Sequence, residues 1–459
     1  MIHSLIIQGD QVMMGRQGGV QEQLFYSFRL DERVPAGHLL RKIDAVLDLS
    51  ELHQRLATYY SHTGRPSIDP ELMIRMLIVG YCHGIRSERR LCEEVSLNLA
   101  YRWFCRLGLE DQVPDHSTFS KNRHGRFRES DLFRHVFELV VRRCIDAGLV
   151  AAEGFAVDAS VIEADASRFS RLEPGQADWS DPRRQTRAVR EYLEALDSDA
   201  SPNNPEREPA ALSPSDPSSA WTTKGRLRVQ FAYGLNYLID NANAVIVDVE
   251  ATPARISKEV ASTRIMIDRT AARFGLKPKH IVGDKAYGTG QMLGWLVDRG
   301  IDPHITVWDK SARDDGTFSR SDFRYLADED AYVCPTGKRL KSTGTIAEGK
   351  TKFYRARKRD CDACPLKPQC TPKTPMRRVP RDLDQDARDY AQRLAATPAF
   401  EVSQRERKKV EMLFAHVKRQ LGFERLRLRG LSGAQDEFLL AATAQNLRRL
   451  ARLTAPCLA

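Results

Sequence analysis

Long apolar runs are missing from this sequence. No stretch of the 459 residues approaches the roughly 18 uninterrupted apolar residues that a membrane-spanning helix needs. The first residues, MIHSLIIQGD, contain a three-residue apolar run and no small-residue cleavage site, which argues against a secretory signal peptide. We therefore expect a cytoplasmic protein that has no membrane partner.

Cysteine is also scarce. The chain has nine cysteines, and an odd number in a chain of this length argues against a secreted disulfide scaffold. Four of them are clustered between residues 334 and 370. The others are scattered and are expected to be reduced thiols, many of them buried: Cys82, Cys92, Cys105, Cys144 and Cys457.

Acidic residues are outnumbered by basic ones. The chain has 71 lysines and arginines against 61 aspartates and glutamates, which gives a formal net charge of +10. A basic surplus of this size favours a polyanionic partner such as nucleic acid or an anionic membrane surface. A basic enzyme without such a partner would have the same balance, so charge alone leaves both interpretations open.

Residues 22–150, which follow an N-terminal tail of residues 1–21, have a helical pattern. Apolar residues recur at helical spacing in LMIRMLIVGYC and LFRHVFELVVRRCIDAG, with short segments between them. Short helices joined by tight turns are typical of a helix-turn-helix-like DNA-binding domain. The segment SKNRHGRFR adds Lys121, Arg123 and Arg126, which either contact phosphates or form an ordinary solvated face.

Residues 151–308 alternate between strand and helix patterns. The order strand, hairpin, helix, strand, helix, strand predicts an α/β layer with a mixed sheet. Residues 173–220 hold seven prolines and many Ser, Asp and Glu residues, which predicts a linker or mobile insertion. A basic, cysteine-rich insertion is expected over 309–400, and helices complete the core over 401–459.

Two aspartates follow apolar runs of this layer. Asp158 ends the run FAVD, and Asp284 ends the run HIVGD. Acids at the carboxyl ends of strands point into the crevice where α/β sheets bind ligands. Aspartate is common where strands turn, so each residue alone is weak support for a site. Glu163 and Asp165 are nearby alternatives to Asp158, but they lie past the apolar run.

A third acid lies on the predicted helix QRERKKVEMLFAHVKRQLGF. At about 100° per residue, Glu411 and Lys418 fall roughly 40° and 20° from Arg407, along the edge of an apolar stripe. An acid between two bases at a core boundary suits a site where the acid binds a metal and the bases hold phosphate oxygens. The alternative is a surface ion pair between Arg407 and Glu411.

These features together resemble the bacterial insertion-sequence transposases of the DDE type. The resemblance depends on Asp158, on the run GDKAY around Asp284, and on the helix spacing of Arg, three residues, Glu, six residues, Lys. It covers residues from about 60 to 453. The Y-R-E-K signature of this group places a tyrosine where this chain has Gln404, which puts the contact of that tyrosine near the DNA end in doubt.

The resemblance implies an α/β RNase H-like catalytic core with a mixed sheet, preceded by an all-helical N-terminal domain. It implies that Asp158, Asp284 and Glu411 are catalytic and hold two Mg²⁺ (or Mn²⁺) ions, because hard cations take oxygen ligands. Such ions activate the attacking water or 3′-hydroxyl and stabilise the leaving oxygen. The implied contacts to DNA phosphates are basic residues of the same helix: Arg407, Lys418, Lys408, Lys409 and Arg419.

The implied function is a DNA transposase. It would bind the terminal inverted repeats of an insertion sequence, cleave at the element ends and join the 3′-hydroxyl to target DNA. Its partners would be double-stranded DNA and a second copy of the chain, since two ends are joined, and it would be nucleoid-associated. Two alternatives stay open, namely a non-catalytic zinc-containing DNA-binding protein and a metal-dependent nuclease on the same fold.

The clustered cysteines have a separate interpretation. Cys334 begins a CPTG turn, and Cys361, Cys364 and Cys370 follow in CDACPLKPQC. Four thiolates fit a zinc site, which would fold a small insertion that has little core of its own. Only one pair has the tight two-residue gap, so reduced thiols that merely pack together are the alternative.

Overall fold

The structure is a computed structural model that describes residues 28–454, apart from 62, 64–66, 174, 177, 182–183, 199–208, 224–227 and 308–314. The expected N-terminal tail, residues 1–21, and Cys457 lie outside the described residues. Within the described part, no helix is both long enough and apolar enough to cross a membrane.

The N-terminal region is helical, as the sequence predicts. Local signals set several helix ends: Asp69 accepts a hydrogen bond from Glu71 N at 2.7 Å, and Gly84 ends the same helix at φ 71°. Ser87 caps the next helix by accepting from Arg90 N. The helices are α1 (Leu30–Arg33), α2 (Leu39–Val46), α3 (Leu52–Leu56), α4 (Pro70–His83), α5 (Glu88–Leu97), α6 (Leu99–Phe104), α7 (Ser117–His124), α8 (Arg126–Glu129) and α9 (Leu132–Asp146).

A mixed sheet forms the centre of the chain, also as predicted. Its strands are β1 (Gly154–Glu163), β2 (Ala220–Thr222), β3 (Gln230–Asp240), β4 (Val245–Pro253), β5 (His280–Gly283) and β6 (Asp302–Ile305). They lie in the order β2-β3-β1-β5-β6, and β4 also pairs with β3. Strand β1 is central, because it is antiparallel to β3 on one side and parallel to β5 on the other.

Helices cover both faces of this sheet. They are α10 (Arg187–Ser198), α11 (Ile256–Phe274), α12 (Gly290–Asp298), α15 (Gln385–Leu394), α16 (Pro398–Arg419) and α17 (Leu431–Leu453). Ala156 and Ile162 of β1 belong to the core that includes α16, α17 and the N-terminal helices. Phe155 and Val157 belong to a second core with α11 and α12. The alternation follows from the two-residue period of a strand.

The N-terminal helices and the sheet share one of these cores. Helix α17 packs against β4 and against α2, α4 and α9. Buried charges join the same parts: Arg134 of α9 and Arg269 of α11 both donate to Asp248 of β4, at 2.6 Å and 2.7 Å. The helical region is therefore fixed directly on the sheet that carries the candidate acids.

The cysteine-rich insertion is a small antiparallel sheet. Its elements are β7 (Arg324–Leu326), β8 (Ala331–Val333), β9 (Arg339–Ala347), β10 (Thr351–Arg355), α13 (Lys358–Asp362), α14 (Lys367–Cys370) and β11 (Arg378–Asp382). The strands lie in the order β11-β10-β9-β8-β7. The expectation of little core is wrong, because Phe323, Tyr332, Leu340, Tyr354 and Val379 form a buried cluster here.

Parts of the proline-rich segment 173–220 are folded, which differs from the predicted linker. Ala188 and Val189 of α10 are buried, and Leu172 pairs with Leu212. Asp216 is fully buried and accepts a hydrogen bond from Tyr233 OH at 2.5 Å. The proline and serine content concealed an amphipathic helix and a short segment that packs on the sheet.

Candidate active site

Asp158 and Asp284 lie on neighbouring parallel strands. Ala156 of β1 pairs with Val282 of β5, and each aspartate follows two residues later on its strand. The backbone of Asp284 is still extended, with φ −77° and ψ 176°. The two aspartates therefore occupy the same level of the sheet, where adjacent strands are about 4.8 Å apart.

The position of Asp158 within its strand differs from the prediction. Strand β1 continues for five residues beyond Asp158, to Glu163, so this aspartate lies mid-strand and not at the carboxyl end. Pairing with β3 extends the strand, since Asp158 is opposite Tyr237 and Glu163 is opposite Ala232. Asp284, in contrast, directly follows β5 as predicted.

Both aspartates face the side of the sheet that α16 covers. Ala156 and Val282, two residues before each aspartate, belong to the core on that side, which also holds Val410 and Phe414 of α16. Since side chains alternate along a strand, Asp158 and Asp284 point to the same side. Helix α16 crosses β1, β5 and β6 there.

Tyr287 marks how close the charged groups are. Burial raises the pKa of the Tyr287 phenol well above its ordinary value of 10.0. The nearby carboxylates of Glu259, Asp158 and Asp284 raise this pKa further. The guanidinium of Arg407 lowers it. One buried ring is thus within electrostatic reach of both aspartates and of the arginine on α16.

Two glycines allow this close approach. A Cβ at Gly283 would be 3.1 Å from Val157 Cγ2 and 3.2 Å from Tyr287 Cδ2. A Cβ at Gly288 would collide with the backbone oxygen of Thr306. The turn that holds Asp284 therefore packs directly against β1 and against the chain after β6.

Helix α16 is fixed to the sheet by polar contacts along its length. Gln404 Nε2 donates to His304 O at 3.0 Å, and Ser403 Oγ lies 2.6 Å from His304 Nδ1. Arg407 Nη2 is 4.0 Å from Asp158 Oδ2. Lys418 Nζ donates to Val161 O at 2.9 Å. The residue at the tyrosine position of the signature thus anchors the helix on β6.

Glu411 lies on the same side of α16 as Arg407 and Lys418, one turn after the arginine. The surface ion pair between Arg407 and Glu411 is not formed, because Arg407 approaches Asp158 instead. Glu411 is exposed and has no hydrogen bond or ion pair within the described residues. No group of three or more His, Cys, Asp or Glu side chains in that part is arranged to hold a metal ion.

The rival acids at the end of β1 are engaged elsewhere. Arg425 Nη1 lies 3.8 Å from Glu163 Oε1, and Arg425 Nη2 lies 3.3 Å from Asp165 Oδ1. Asp165 also receives Arg429 Nε at 2.9 Å. These acids belong to an exposed cluster of ion pairs beyond the two aspartates.

The basic residues singled out in the sequence have different environments. Lys408, Arg419 and Lys121 are exposed, and half-buried Lys409 donates to Asn241 O at 3.0 Å. Arg126 lies over the Tyr60 ring at 4.2 Å from its centroid. The expectation that Arg123 lies on the surface is wrong. It is buried and paired with Glu88, because α7 turns this side chain towards α5.

The four clustered cysteines lie near one another. Burial raises the pKa of the Cys370 thiol, and three neighbouring cysteines raise it further: Cys361, Cys334 and Cys364. In the CPTG turn, Lys338 N donates to Cys334 Sγ at 3.3 Å and Gly337 N donates to Cys334 O at 2.8 Å. The sulfur of Cys334 therefore already accepts a backbone hydrogen bond.

Two family profiles match this chain. The first, described as "Transposase domain (DUF772)", matches residues 28–125. The second, described as "Transposase DDE domain", matches residues 333–451. These matches support an insertion-sequence DDE transposase. The resemblance found in the sequence is confirmed at this level, whereas the Y-R-E-K signature stays a prediction.

A solved structure is also similar to this chain: the cryo-EM structure of the piggyBac transposase synaptic complex with hairpin DNA. The identity is 11% and the TM-score is 0.34, over 91% of this chain and 82% of the other.

The two family matches cover only part of the candidate site. Arg407, Glu411 and Lys418 lie inside the DDE-domain match, whereas Asp158 and Asp284 lie between the two matches. The two aspartates are therefore candidates because of their strand register, and the glutamate is a candidate because of its position on α16. Sequence reasoning quoted Tyr287 only as part of the run GDKAY and missed His304 as a residue that anchors α16. The only signal for His304 was its place in a predicted strand.

Proposed function

We propose that this transposase binds the terminal inverted repeats of an insertion sequence, cleaves DNA at the element ends and joins the freed 3′-hydroxyl to target DNA. Asp158, Asp284 and Glu411 are the proposed catalytic residues. The active complex contains at least two copies of the chain, since two element ends must be joined. The N-terminal helices contact the element end, with Lys121 and Arg126 as surface candidates. Arg123 is left out because it is buried.

One observation carries the catalytic proposal. Asp158 and Asp284 stand level on adjacent parallel strands, beneath a helix whose Arg407 reaches Asp158 and whose Lys418 reaches β1. Glu411 lies between those two bases on the same helix side. A central strand flanked by one antiparallel and one parallel neighbour, with acids on the helix-covered face, supports the proposal of an RNase H-like core.

The donor set fits divalent cations. Three carboxylates offer only oxygen atoms, which are the ligands that Mg²⁺ and Mn²⁺ prefer. Two such cations, when bound, would lower the pKa of the attacking hydroxyl and stabilise the leaving oxygen. The exposed Glu411 carboxylate has no competing partner among the described residues, so its side chain is available to turn towards the aspartates.

Arg407 and Lys418 are the proposed phosphate ligands nearest the cut. Arg407 Nε is buried and has no hydrogen-bond partner within the described part of the chain. A buried donor without a partner is costly, and a phosphate oxygen beside Asp158 would satisfy it. Lys408 and Arg419, which are exposed on the same helix, would extend this contact along the DNA.

Cleavage of DNA tests the proposal. The substrate is a duplex carrying the DNA that flanks the coding sequence, with Mg²⁺ or Mn²⁺ added, and the products are nicked ends and joined strands. Wild type should produce both, and Glu411→Gln should produce neither while retaining duplex affinity. Glu424→Gln is the matched control, since Glu424 is an exposed glutamate just after α16. Nicking without joining would favour the nuclease alternative.

We further propose that Cys334, Cys361, Cys364 and Cys370 bind one structural Zn²⁺ ion. Four thiols, three of which act on the pKa of the fourth, offer the soft ligands that zinc prefers, although their side chains are not arranged around a metal in this structure; a backbone N–H donated to sulfur is compatible with a bound thiolate. Because the insertion has its own tyrosine-rich core, zinc would fix the loops at one end of that sheet and not create the fold.

Metal content tests the zinc proposal without any activity assay. Purified protein should contain one zinc per chain by mass spectrometry, and Cys364→Ser should lose it. Cys92→Ser is the control, because this half-buried cysteine lies in α5, away from the cluster. A wild-type chain free of zinc after expression in zinc-supplemented medium would contradict the site.

A further inference from the structure

A cleft lies between the N-terminal helices and the segment that follows α16. Its volume is about 610 Å³, and its charged lining consists of Arg86, Arg90, Arg425, Arg427 and Asp165. We call it the arginine cleft. Four guanidinium groups line it with one carboxylate; Glu437 pairs with Arg86 and Glu163 lies near Arg425, so Arg90 and Arg427 supply most of its positive charge.

Two of these arginines are available to a ligand. Arg427 is exposed, and its guanidinium has no ion pair or hydrogen bond to another described residue. Arg90 is 69% exposed and pairs with Glu94 one helical turn away at 3.2 Å. Exposed pairs of this kind contribute little to stability, so an anion can replace the glutamate.

The start of α5 adds a second attraction for anions. Ser87 caps this ten-residue helix and lines the cleft, so the positive end of the helix dipole points towards it. An independent observation agrees with this. The Arg86 side chain is only 8% exposed; its Nη2 is paired with the buried Glu437, but its Nη1 is buried without a hydrogen-bond partner among the described residues.

The cleft is close to the candidate catalytic acids. The backbone of Glu163, at the end of β1, pairs with that of Arg425 in an isolated β-bridge. Asp158 lies five residues earlier on the same strand. At about 3.3 Å per residue, the cleft begins roughly 16 Å from Asp158. That distance corresponds to about five base pairs along a DNA axis.

We propose that the arginine cleft binds the sugar–phosphate backbone of DNA about five base pairs from the cleavage point, with Arg90 and Arg427 as direct phosphate ligands. The proposal rests on the proposed function and assigns the path of the duplex over the end of β1. The contact is independent of base sequence, because guanidinium groups and a helix N-terminus recognise phosphate and not base edges.

Asp165 occupies the place of a phosphate when DNA is absent. Its carboxylate holds Arg425 at 3.3 Å and Arg429 at 2.9 Å, and all three side chains are partly exposed. Phosphate and carboxylate bind guanidinium with the same two-point geometry. DNA binding therefore exchanges one partner of these arginines for another, and Asp165 weakens the affinity by competing.

The binding test uses a fluorescein-labelled 40-base-pair duplex of arbitrary sequence with the full-length protein. Arg427→Ala and Arg90→Ala should each raise Kd about tenfold at low salt and lower the salt slope by about one. Arg89→Ala is the matched control. Arg89 is the adjacent residue of α5, has the same type of pair with Glu93 at 3.5 Å, and does not line the cleft.

Asp165→Asn gives a change of opposite sign. Removing the competing carboxylate should lower Kd for the same duplex about threefold to tenfold, whereas a purely structural aspartate would leave Kd unchanged or raise it. Arg427→Lys, which keeps the charge, should restore most of the affinity that Arg427→Ala loses. A thermal melt of each variant checks that the fold is retained.

The outcomes separate this proposal from the proposed function. If Arg90→Ala and Arg427→Ala bind the duplex as well as Arg89→Ala does, the cleft is not on the DNA path, even if wild type cleaves element ends. If the cleft variants lose affinity but wild type cleaves no DNA, the cleft stands and the transposition chemistry fails. Equal loss of binding to a polyglutamate peptide would overturn the assignment to DNA.

Discussion

Asp158 and Asp284 are level with each other on two neighbouring parallel strands, although 125 residues separate them in the chain. The register of β1 and β5 places both aspartates on the face that α16 covers, where Arg407 lies 4.0 Å from Asp158. This single strand pairing turns two unremarkable aspartates into one candidate site.

Replacement of Asp284 tests that relationship. Asp284→Asn should reduce strand cleavage more than about a hundredfold, since even outer-shell partners of metal ligands cost 10–100-fold. Asp268→Asn, on the exposed side of α11, is the matched control. Duplex affinity and the thermal midpoint should stay close to wild type in both variants. Cleavage at the wild-type rate by Asp284→Asn would remove this residue from the catalytic set.

Gly288 should be intolerant of even a methyl group. Gly288→Ala places a Cβ against the carbonyl oxygen of Thr306, so the turn carrying Asp284 must move. We expect a loss of about 1–3 kcal/mol in the free energy of unfolding and slower cleavage. Gly37→Ala is the control, because no described heavy atom lies within 4 Å of its added Cβ. Urea denaturation measures both, and equal stabilities would contradict the close packing.

Acidic pH should loosen the anchor of α16. Burial lowers the pKa of His304 from 6.5 to about 4, with a further contribution from His280 that Asp302 opposes. The neutral ring is thus favoured in the fold, while the unfolded chain takes up a proton below about 6.5. The stability that this histidine contributes is present above that pH and is lost as pH falls towards 4.

The thermal midpoint between pH 7 and pH 4.5 measures this effect. Wild type should lose more stability over the interval than His304→Gln, which retains a polar group but cannot titrate. His53→Gln serves as the control, because His53 is 56% exposed and lies far along the chain in α3. If all three proteins show parallel pH profiles, protonation of His304 is not what weakens the anchor.

Asp248 should be important for joining the helical region to the sheet. It is 2% exposed and accepts from Arg134 at 2.6 Å and Arg269 at 2.7 Å. Asp248→Ala leaves the buried Arg134 and the half-buried Arg269 without this partner, so the free energy of unfolding should fall by about 3–5 kcal/mol. Asp268→Ala breaks an exposed pair with Arg299 and should cost less than about 1 kcal/mol. A small loss at Asp248 would show that the arginines find other partners.

Much of the secondary structure could be predicted from local pattern. The helix that ends at Gly275, the hairpin of β3 and β4, and the mixed sheet all follow the predicted order. Predictions made from the average composition of long segments were wrong in two places. The proline-rich stretch concealed α10, and the cysteine-rich stretch concealed a sheet with its own tyrosine core.

Some residues of the site could be grouped from the sequence, and others could not. Arg407, Glu411 and Lys418 could be grouped from the sequence, because residues four and eleven apart share one side of any helix. The burial of Arg123 could not be foreseen, since its partner Glu88 lies on another helix. The interpretation of Asp158 as a strand-end residue failed because β3, which comes later in the chain, extends the strand.

The sequence by itself determined the helix and strand periods, the basic balance, and the side of α16 that carries acid and bases, because these depend on neighbours within a few residues. Only the tertiary structure decided that Asp158 and Asp284 are level, that Gln404 anchors α16 on β6, and that arginines from separate regions line one cleft. Such relationships depend on strand register and on packing between distant segments, which no local pattern encodes.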